Sequence, residues 1–231
     1  MSNNRLAGGE FLIKDLSWED IFTHEDFSEE QKMMLESAKE FIDREVWPLK
    51  QQIEKKDYAL IHDLMKKLGD LGFLGISVPE EYGGLGMGFV TTMLVCDYLS
   101  GATGSLATAY GAHTGIGTLP IMLYGNEEQK KKYLPKLATG EWFASYALTE
   151  PEAGSDANSG KTKAVLSADG KHYSITGNKM WITNAGFAEL FIVFARIEDD
   201  KNITAFIVEK SQAGEGFTLG VVAFFLLFFE L

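Results

Sequence analysis

Two short segments contain residue types that could hold a planar ligand: residues 146–155, and residues 181–183, which begin 26 positions after the first segment ends. Each segment has an aromatic residue close to a threonine in a stretch that reads as a strand. A flat heterocycle could stack on the aromatic ring, while the hydroxyl and neighbouring backbone amides bond its polar edge. We therefore expect the two segments to form one site for a flat heterocyclic ligand.

Ordinary strand packing is the alternative explanation for Thr149 and Trp181, because aromatic and β-branched residues are common in sheets. The loop at residues 150–159 favours the binding site. It is polar, it follows a predicted strand directly, and it contains Gly154 and Ser155. Such residues expose backbone amides and a hydroxyl, which suit a pyrophosphate or a thioester ligand.

Two glycine-containing segments are similar to nucleotide-binding loops only in outline. Residues 83–88 lack the preceding strand and the following helix of a dinucleotide loop, so a turn between helices is the better interpretation. Residues 154–162 are one residue longer than a P-loop and precede a strand pattern instead of a helix. The histidine spacing fits no metal site and no G-x-S-x-G motif occurs, which argues against a metalloenzyme or a hydrolase.

Helical periodicity extends from residue 28 to residue 140. Ser28 and Gln31 form a capping box ahead of apolar residues at spacings of three and four. Pro48 predicts a kink or break and moves Trp47 away from helical angles. Further helices are expected at residues 59–71, 89–99 and 105–124, and after the cap residue Asn126.

The pattern changes to strands beyond residue 141. Residues 162–167 and 172–177 flank Asp169-Gly170, which predicts a hairpin with a two-residue turn. Nearly continuous apolar runs at residues 190–197 and 203–208 predict two more strands. We therefore expect an α+β fold. An all-α helical domain at residues 1–140 precedes a partial antiparallel β-barrel or β-sandwich domain at residues 141–220, and residues 221–231 form an atypical apolar tail.

Composition limits the functional classes. At 231 residues and 45% hydrophobic, the chain can bury one large core or two modest cores. The net charge of -12 argues against binding to nucleic acids or anionic membranes. Cys96 has no partner for a disulfide, residues 1–15 lack a signal-peptide core, and no apolar run is long enough to span a membrane. We expect a cytoplasmic protein, with the mitochondrial matrix as the alternative.

The order of motifs from about residue 28 to about residue 220 resembles the acyl-CoA dehydrogenase family. The matching motifs are Val78-Pro79-Glu80-Glu81-Tyr82-Gly83-Gly84, Leu134-Pro135-Lys136-Leu137, Thr149-Glu150-Pro151, Gly154-Ser155-Asp156 and Trp181-Ile182-Thr183. Residues 111–117 are similar to the long-chain and very-long-chain branch, in which small helix residues leave a deep acyl channel. Close helix packing is the alternative reason for their glycines.

The resemblance implies that the cofactor is FAD. It implies FAD contacts for Tyr146, Ala147, Leu148, Thr149, Gly154, Ser155, Trp181, Ile182 and Thr183. Thr149 would bond the pyrimidine edge of the flavin ring, and Trp181 would flank that ring. Thr183 would bond near the nitrogen that accepts hydride. Ser155 would also touch the acyl-CoA substrate.

The implied reaction is the oxidation of a fatty acyl-CoA to its trans-2-enoyl form, as in fatty acid β-oxidation. The implied acceptor is electron-transfer flavoprotein, and the parent protein is implied to be a homo-oligomer.

The resemblance also implies where the catalytic base lies. Family members carry it on a C-terminal helical bundle, to which nothing in this sequence corresponds, so the base is expected beyond Leu231. Glu150 and Glu152 are expected to be solvated or structural carboxylates. We therefore expect a truncated or frameshifted chain with no catalytic base, weak flavin binding and little or no turnover.

Other functions are open at this point. An acyl-CoA oxidase or a flavin monooxygenase of the same fold would differ in oxygen consumption. Some relatives bind DNA, which the acidic charge disfavours and a gel-shift titration would test. A non-catalytic fragment that oligomerises through residues 221–231 would change its size-exclusion behaviour when the tail is removed.

Overall fold

A computed structural model describes residues 8–55, 57–214, 216–220 and 224–230 of the chain. The helices lie in the N-terminal part, and the strands begin after residue 143. Within the described residues, no helix combines the length and the apolar content that crossing a membrane requires.

The helical part contains seven α-helices among the described residues. They are α1 (Glu29–Phe41), α2 (Lys50–Glu54), α3 (Tyr58–Asp70), α4 (Phe89–Ala102), α5 (Gly104–Gly111), α6 (Leu119–Tyr124) and α7 (Glu127–Ala138). The capping box predicted for α1 is confirmed, because the Gln31 amide donates to Ser28 Oγ at 3.2 Å and the Ser28 amide donates to Gln31 Oε1 at 3.0 Å. Asn126 caps α7 in the same way. The apolar stripes of α1, α3, α4 and α5 meet in one core.

The helix is interrupted near Pro48 as expected, but the local geometry differs from the prediction. After α1 the backbone forms a π-helical turn at Ile42–Val46 and a 3-10 turn at Trp47–Leu49 before α2 begins. Trp47 keeps helical angles, with φ -54 and ψ -45, so the expected departure of this residue is wrong. Pro48 lies in the first positions of the 3-10 turn, where its missing amide costs no helical hydrogen bond.

Seven strands among the described residues form one curled, mixed sheet. They are β1 (Ala144–Ala147), β2 (Lys163–Leu166), β3 (Tyr173–Met180), β4 (Leu190–Ile197), β5 (Thr204–Glu209), β6 (Phe217–Leu219) and β7 (Phe224–Glu230). Their order is β1-β4-β2-β3-β7-β6, and β5 also pairs with β4. The α+β class is confirmed.

An antiparallel sheet was expected, but the sheet is mixed, because β1 and β2 each pair in parallel with β4. Parallel pairing needs a long connection between the strands, and the β2–β3 hairpin supplies one between β1 and β4. The antiparallel pairing of the hairpin is confirmed, but its turn is longer than expected. The bond from the Ser167 amide to the His172 carbonyl at 2.8 Å encloses four residues, and of the two expected turn positions only Gly170 has a positive φ, at 69.

The expected apolar tail is described only in part. The backbone of residues 224–230 forms β7, which pairs with β3 and β6. Residues 221–223 and Leu231 lie outside the described residues. The expectation that the catalytic base of the family lies beyond Leu231 stays a prediction.

His113 connects the helical part to the sheet. It lies in a π-helical turn at Ala112–Gly117 between α5 and α6, and its side chain is fully buried. The Ala144 amide at the start of β1 donates to Nδ1 at 3.1 Å, so Nδ1 carries no proton. The proton of the neutral ring therefore lies on Nε2, which donates to the Leu137 carbonyl of α7 at 3.0 Å. One imidazole thus joins three elements, and it does so only while it is uncharged.

Candidate functional site

The two segments singled out from the sequence lie side by side beyond the ends of β1 and β3. The Met180 amide donates to the Thr149 carbonyl at 2.9 Å, which joins the end of β3 to the segment that follows β1. On the other side, Ser145 Oγ donates to the Thr183 carbonyl at 2.8 Å. These two bonds hold together segments that the chain separates by the whole β2–β3 hairpin.

A buried ion pair also joins the two segments. Lys179 is 2% exposed, and its ammonium donates to Glu150 Oε1 at 2.7 Å and to the Leu148 carbonyl at 3.0 Å. Lys179 belongs to β3, whereas Leu148 and Glu150 follow β1, so the bonds of Lys179 join the end of β3 to the segment that follows β1.

Glu150 is a structural carboxylate, which confirms that interpretation of the sequence. It accepts the backbone amide of Lys161 at 2.6 Å and that of Thr162 at 3.1 Å, in addition to the Lys179 ammonium. Burial raises the pKa of Glu150, but the hydrogen bonds from Lys179 and from the two backbone amides outweigh it and hold the pKa below its usual value. Glu152 is exposed and pairs with Lys161, as expected of a solvated residue.

Several hydrogen-bonding groups at these segments are unused within the described part of the chain. The hydroxyls of Thr149 and Thr183 have no partner there, and neither does the Thr149 amide. The Trp181 side chain is 70% exposed, although indole rings are normally buried. Trp181 also has φ 58, a left-handed conformation that costs a bulky residue about 1 kcal/mol or more and is often found at functional sites. We call Thr149, Trp181 and Thr183 the cradle.

The other residues expected at the site lie in different surroundings. Gly154 and Ser155 are exposed in the turn after Glu150. Ala147 is buried in the core of the sheet, and Ile182 packs against the same core. The ring of Tyr146 lies 4.9 Å from that of Phe194 and lines a cavity of about 530 Å³ between the sheet and α6–α7.

A second cavity adjoins the cradle. It has a volume of about 380 Å³, and Thr183 and Asn184 form part of its wall. The opposite wall comes from α2, α3 and α5, and on α5 it consists of small residues, namely Gly104, Ser105, Thr108 and Ala109. Asn184 Nδ2 donates to the Ala109 carbonyl at 2.8 Å, which ties the segment after Thr183 to α5. The cavity therefore runs from the cradle into the helical part.

Sequence reasoning missed three residues that support the cradle, namely Ser145, Lys179 and Asn184. A signal was present for Lys179, because β3 alternates and Lys179 shares the inward face with Ile175 and Gly177. A lysine at an inward position needs a partner, which the sequence does not identify. Ser145 and Asn184 give no comparable signal, since both residue types are common in strands and loops.

The residues present fit the isoalloxazine ring of FAD. An exposed indole offers a stacking surface, and two free threonine hydroxyls with a free amide offer bonds to the polar edge of such a ring. Within the described residues, no group of three or more side chains could hold a metal ion. These groups make the cradle a candidate site for a flavin.

The family follows from comparison with known proteins. The model of the acyl-CoA dehydrogenase N-terminal domain matches residues 28–141, and that of the middle domain matches residues 145–222. The chain belongs to the acyl-CoA dehydrogenase family, a family of oxidoreductases that use FAD.

Individual relatives agree with this assignment. A probable acyl-CoA dehydrogenase of Bacillus subtilis is 50% identical over 90% of this chain and 34% of its own length. The mitochondrial isovaleryl-CoA dehydrogenase of Pongo abelii is 40% identical over 81% of this chain and 45% of its own. The crystal structure of an acyl-CoA dehydrogenase complexed with FAD from Bacillus anthracis is 47% identical with a TM-score of 0.88, over 96% of this chain and 40% of that one. The chain thus spans less than half the length of each.

Proposed function

We propose that this chain supplies the flavin cradle and part of the acyl cavity of an FAD-dependent acyl-CoA dehydrogenase, which converts an acyl-CoA to its trans-2-enoyl form. The observation that carries the proposal is the cradle itself. Its exposed indole and unused hydrogen-bond donors are held in place by four bonds from Lys179, Met180 and Ser145. Flavin rings need such a combination of stacking surface and edge donors.

Each expected site residue has a part in this proposal. Thr149 and the neighbouring backbone of Leu148 contact the pyrimidine edge of the ring, Trp181 and Ile182 flank the ring, and Thr183 donates near the hydride-accepting nitrogen. FAD supplies the hydride acceptor when it is bound. The exposed turn at Gly154 and Ser155 offers amides and a hydroxyl to the pyrophosphate, and Ser155 also to the acyl-CoA. Tyr146 and Ala147 contribute mainly by fixing β1 in the sheet.

The acyl chain of the substrate enters the cavity of about 380 Å³. This cavity opens beside Thr183, so an acyl chain inside it would bring its reacting carbons close to the flavin ring. The wall on α5 is built from small residues, and a side chain added at Gly104 would meet nothing within 4 Å. This open wall supports a long acyl chain as the substrate, and the isovaleryl-CoA relative makes a short branched chain the alternative.

The proposal assigns no catalytic base to the chain up to Leu231. The two carboxylates in the segment that follows Thr149 are already engaged, Glu150 with two backbone amides and Lys179, and Glu152 with Lys161. The α-proton of a thioester is weakly acidic, so its removal needs a positioned base and a polarised carbonyl. We therefore expect the chain alone to turn over little or no acyl-CoA.

FAD titration of the purified chain tests the cradle. We expect saturable quenching of FAD fluorescence, and we expect the Trp181→Asn variant to bind about fivefold more weakly, because a stacking contact contributes about 1 kcal/mol. Asparagine tolerates positive φ, so the free energy of unfolding should change by less than about 1 kcal/mol.

The matched control is Trp47→Asn, which removes a half-exposed indole from the helical part. It should leave the affinity for FAD unchanged. If the wild-type chain showed no saturable FAD binding, or if both tryptophan variants lost affinity equally, the cradle would not be the flavin site. Robust dye reduction with acyl-CoA would contradict the proposal that the base lies outside this chain.

The partners of the whole protein are part of the same proposal. An acyl-CoA is the substrate, electron-transfer flavoprotein accepts the electrons, and the assembled protein is a homo-oligomer. These assignments rest on the family, in which the reduced cofactor must be reoxidised before the next turnover. Reduction of a purified electron-transfer flavoprotein by the full-length protein and acyl-CoA tests the acceptor.

A further inference from the structure

The buried pair of Lys179 and Glu150 has a role that the preceding assignments leave open. Buried ion pairs are costly to desolvate and are often replaceable by apolar residues without loss of stability. In this pair Lys179 contacts the residues on both sides of Thr149, namely Leu148 and Glu150, which calls for an explanation other than stability. The second bond of Lys179, to the Leu148 carbonyl at 3.0 Å, points to one.

This second bond sets the direction of one peptide group. The Leu148–Thr149 peptide is trans, so its carbonyl and its amide N–H point in opposite directions. Because the carbonyl of Leu148 faces the Lys179 ammonium, the Thr149 N–H points away from it. That N–H has no acceptor among the described residues, although Thr149 is half-buried. That N–H is therefore free to donate to an atom of a bound ligand.

Glu150 fixes the ammonium from the opposite side. Its carboxylate is anchored by the amides of Lys161 and Thr162, so it cannot follow Lys179 if the lysine moves. The ammonium is thus held between an anchored carboxylate at 2.7 Å and a carbonyl at 3.0 Å. A cation at the carbonyl also polarises the peptide and makes its N–H a stronger donor.

We propose that Lys179, held by Glu150, is a positioning residue that orients the Leu148–Thr149 peptide so that the amide and hydroxyl of Thr149 donate together to one side of a bound flavin ring. The inference rests on the proposed function, since it takes the flavin as the ligand. It goes further by assigning the orientation of the donor to an ion pair that touches neither cofactor nor substrate.

Affinity for FAD, measured by fluorescence titration, separates positioning from a structural role. We expect Lys179→Met to weaken binding by about tenfold or more, because the peptide loses a charge-assisted hydrogen bond. The same variant should also unfold more easily, since Glu150 is left as an unpaired buried charge. The control Lys163→Met removes an exposed lysine from β2 and should leave both properties unchanged.

The double variant Lys179→Met/Glu150→Gln is the decisive case. It removes both buried charges, so the midpoint of denaturant unfolding should return towards that of the wild type. Affinity for FAD should nevertheless stay about tenfold or more below that of the wild type, because nothing directs the Leu148 carbonyl. Recovery of affinity together with stability would overturn the proposal and leave the pair a purely structural role.

A measurement without flavin keeps this inference distinct from the proposed function. Residual dipolar couplings report the direction of the Thr149 N–H in the ligand-free protein. We expect that direction to differ between the wild type and the double variant, while the N–H vectors of β4 stay the same. An unchanged Thr149 vector would overturn the positioning role even if FAD binds, whereas a changed vector without any FAD binding would refute the flavin site alone.

Discussion

Acidification from about pH 7 to about pH 4 is expected to remove about 3 kcal/mol from the free energy of unfolding through His113 alone. Burial lowers the pKa of this imidazole to about 4, from the ordinary value of 6.5, and the hydrogen bond to the Leu137 carbonyl offsets only part of that effect. The protonated ring could no longer accept the Ala144 amide at Nδ1. The lost free energy of unfolding therefore comes from the contacts by which His113 joins α7 to β1.

The sign of the effect follows from proton binding. Between about pH 4 and pH 6.5 the unfolded chain binds a proton at His113 that the folded chain does not. The stabilisation is therefore complete above about pH 6.5 and is lost as the pH falls towards 4. Below about pH 4 both states are protonated, so this residue contributes no further pH dependence.

Urea unfolding at a series of pH values measures the effect, with His113→Gln as the comparison. Glutamine can also donate one hydrogen bond and accept another, but it does not titrate. The wild type should lose about 3 kcal/mol more than this variant between pH 6.5 and pH 4, while acidic residues contribute equally to both. His172→Gln, which replaces an exposed histidine, serves as the control. Parallel pH profiles for the wild type and His113→Gln would contradict the assignment.

The second large effect is expected for Gly177→Ala in β3. A Cβ atom at this position would lie 2.2 Å from Thr162 Oγ1, 2.6 Å from Thr162 Cβ and 2.7 Å from Thr162 Cα. The backbone must therefore shift, since rotation of the Thr162 side chain cannot relieve the contact with Cα. We expect a loss of about 3 kcal/mol in the free energy of unfolding, the upper range for overpacking.

The same substitution should also weaken FAD binding, because the Thr162 amide anchors Glu150, the residue that follows Thr149. Denaturant unfolding and FAD titration measure the two effects. Gly101→Ala is the matched control, since its Cβ would meet nothing within 4 Å at an exposed position of α4. This control should gain up to about 1 kcal/mol from helix propensity. A loss below about 1 kcal/mol for Gly177→Ala would mean that β2 and β3 adjust freely at this point.

Local signals in the sequence predicted most of the elements. These signals join residues that are close in sequence, so neighbouring residues are enough to predict them. Examples are the capping box at Ser28, the cap at Asn126 and the turn around Asp169-Gly170. The family resemblance likewise rests on ordered short motifs. The departure from prediction at Trp47 is small, because a 3-10 turn accommodates the following proline without leaving helical angles.

The candidate site was predictable only in part. The residue types in the two segments indicated a planar ligand, yet strand packing explained the same types equally well. What separates these explanations is exposure and unused hydrogen-bonding capacity, and both depend on how distant segments surround Thr149 and Trp181. The partner of Lys179 lies 29 positions away in the chain, and nothing in the pattern of β3 identifies it as Glu150.

The order of residues along this chain did not predict β6, β7 or the π-helical turn at Ala112–Gly117, which interrupts the helix expected at residues 105–124. It was sufficient for the family, the α+β class, most of the other helices and strands, and the choice of two segments as candidates for a ligand site. Each of these depends on periodicity, capping or motif order, which act over short separations. Folding in three dimensions decided the parallel pairing of β1 and β2 with β4, the neutral state of His113 and the pairing of Lys179 with Glu150. These features depend on which polar groups are buried against each other. The free energy of a buried polar group is set by neighbours that are distant in sequence.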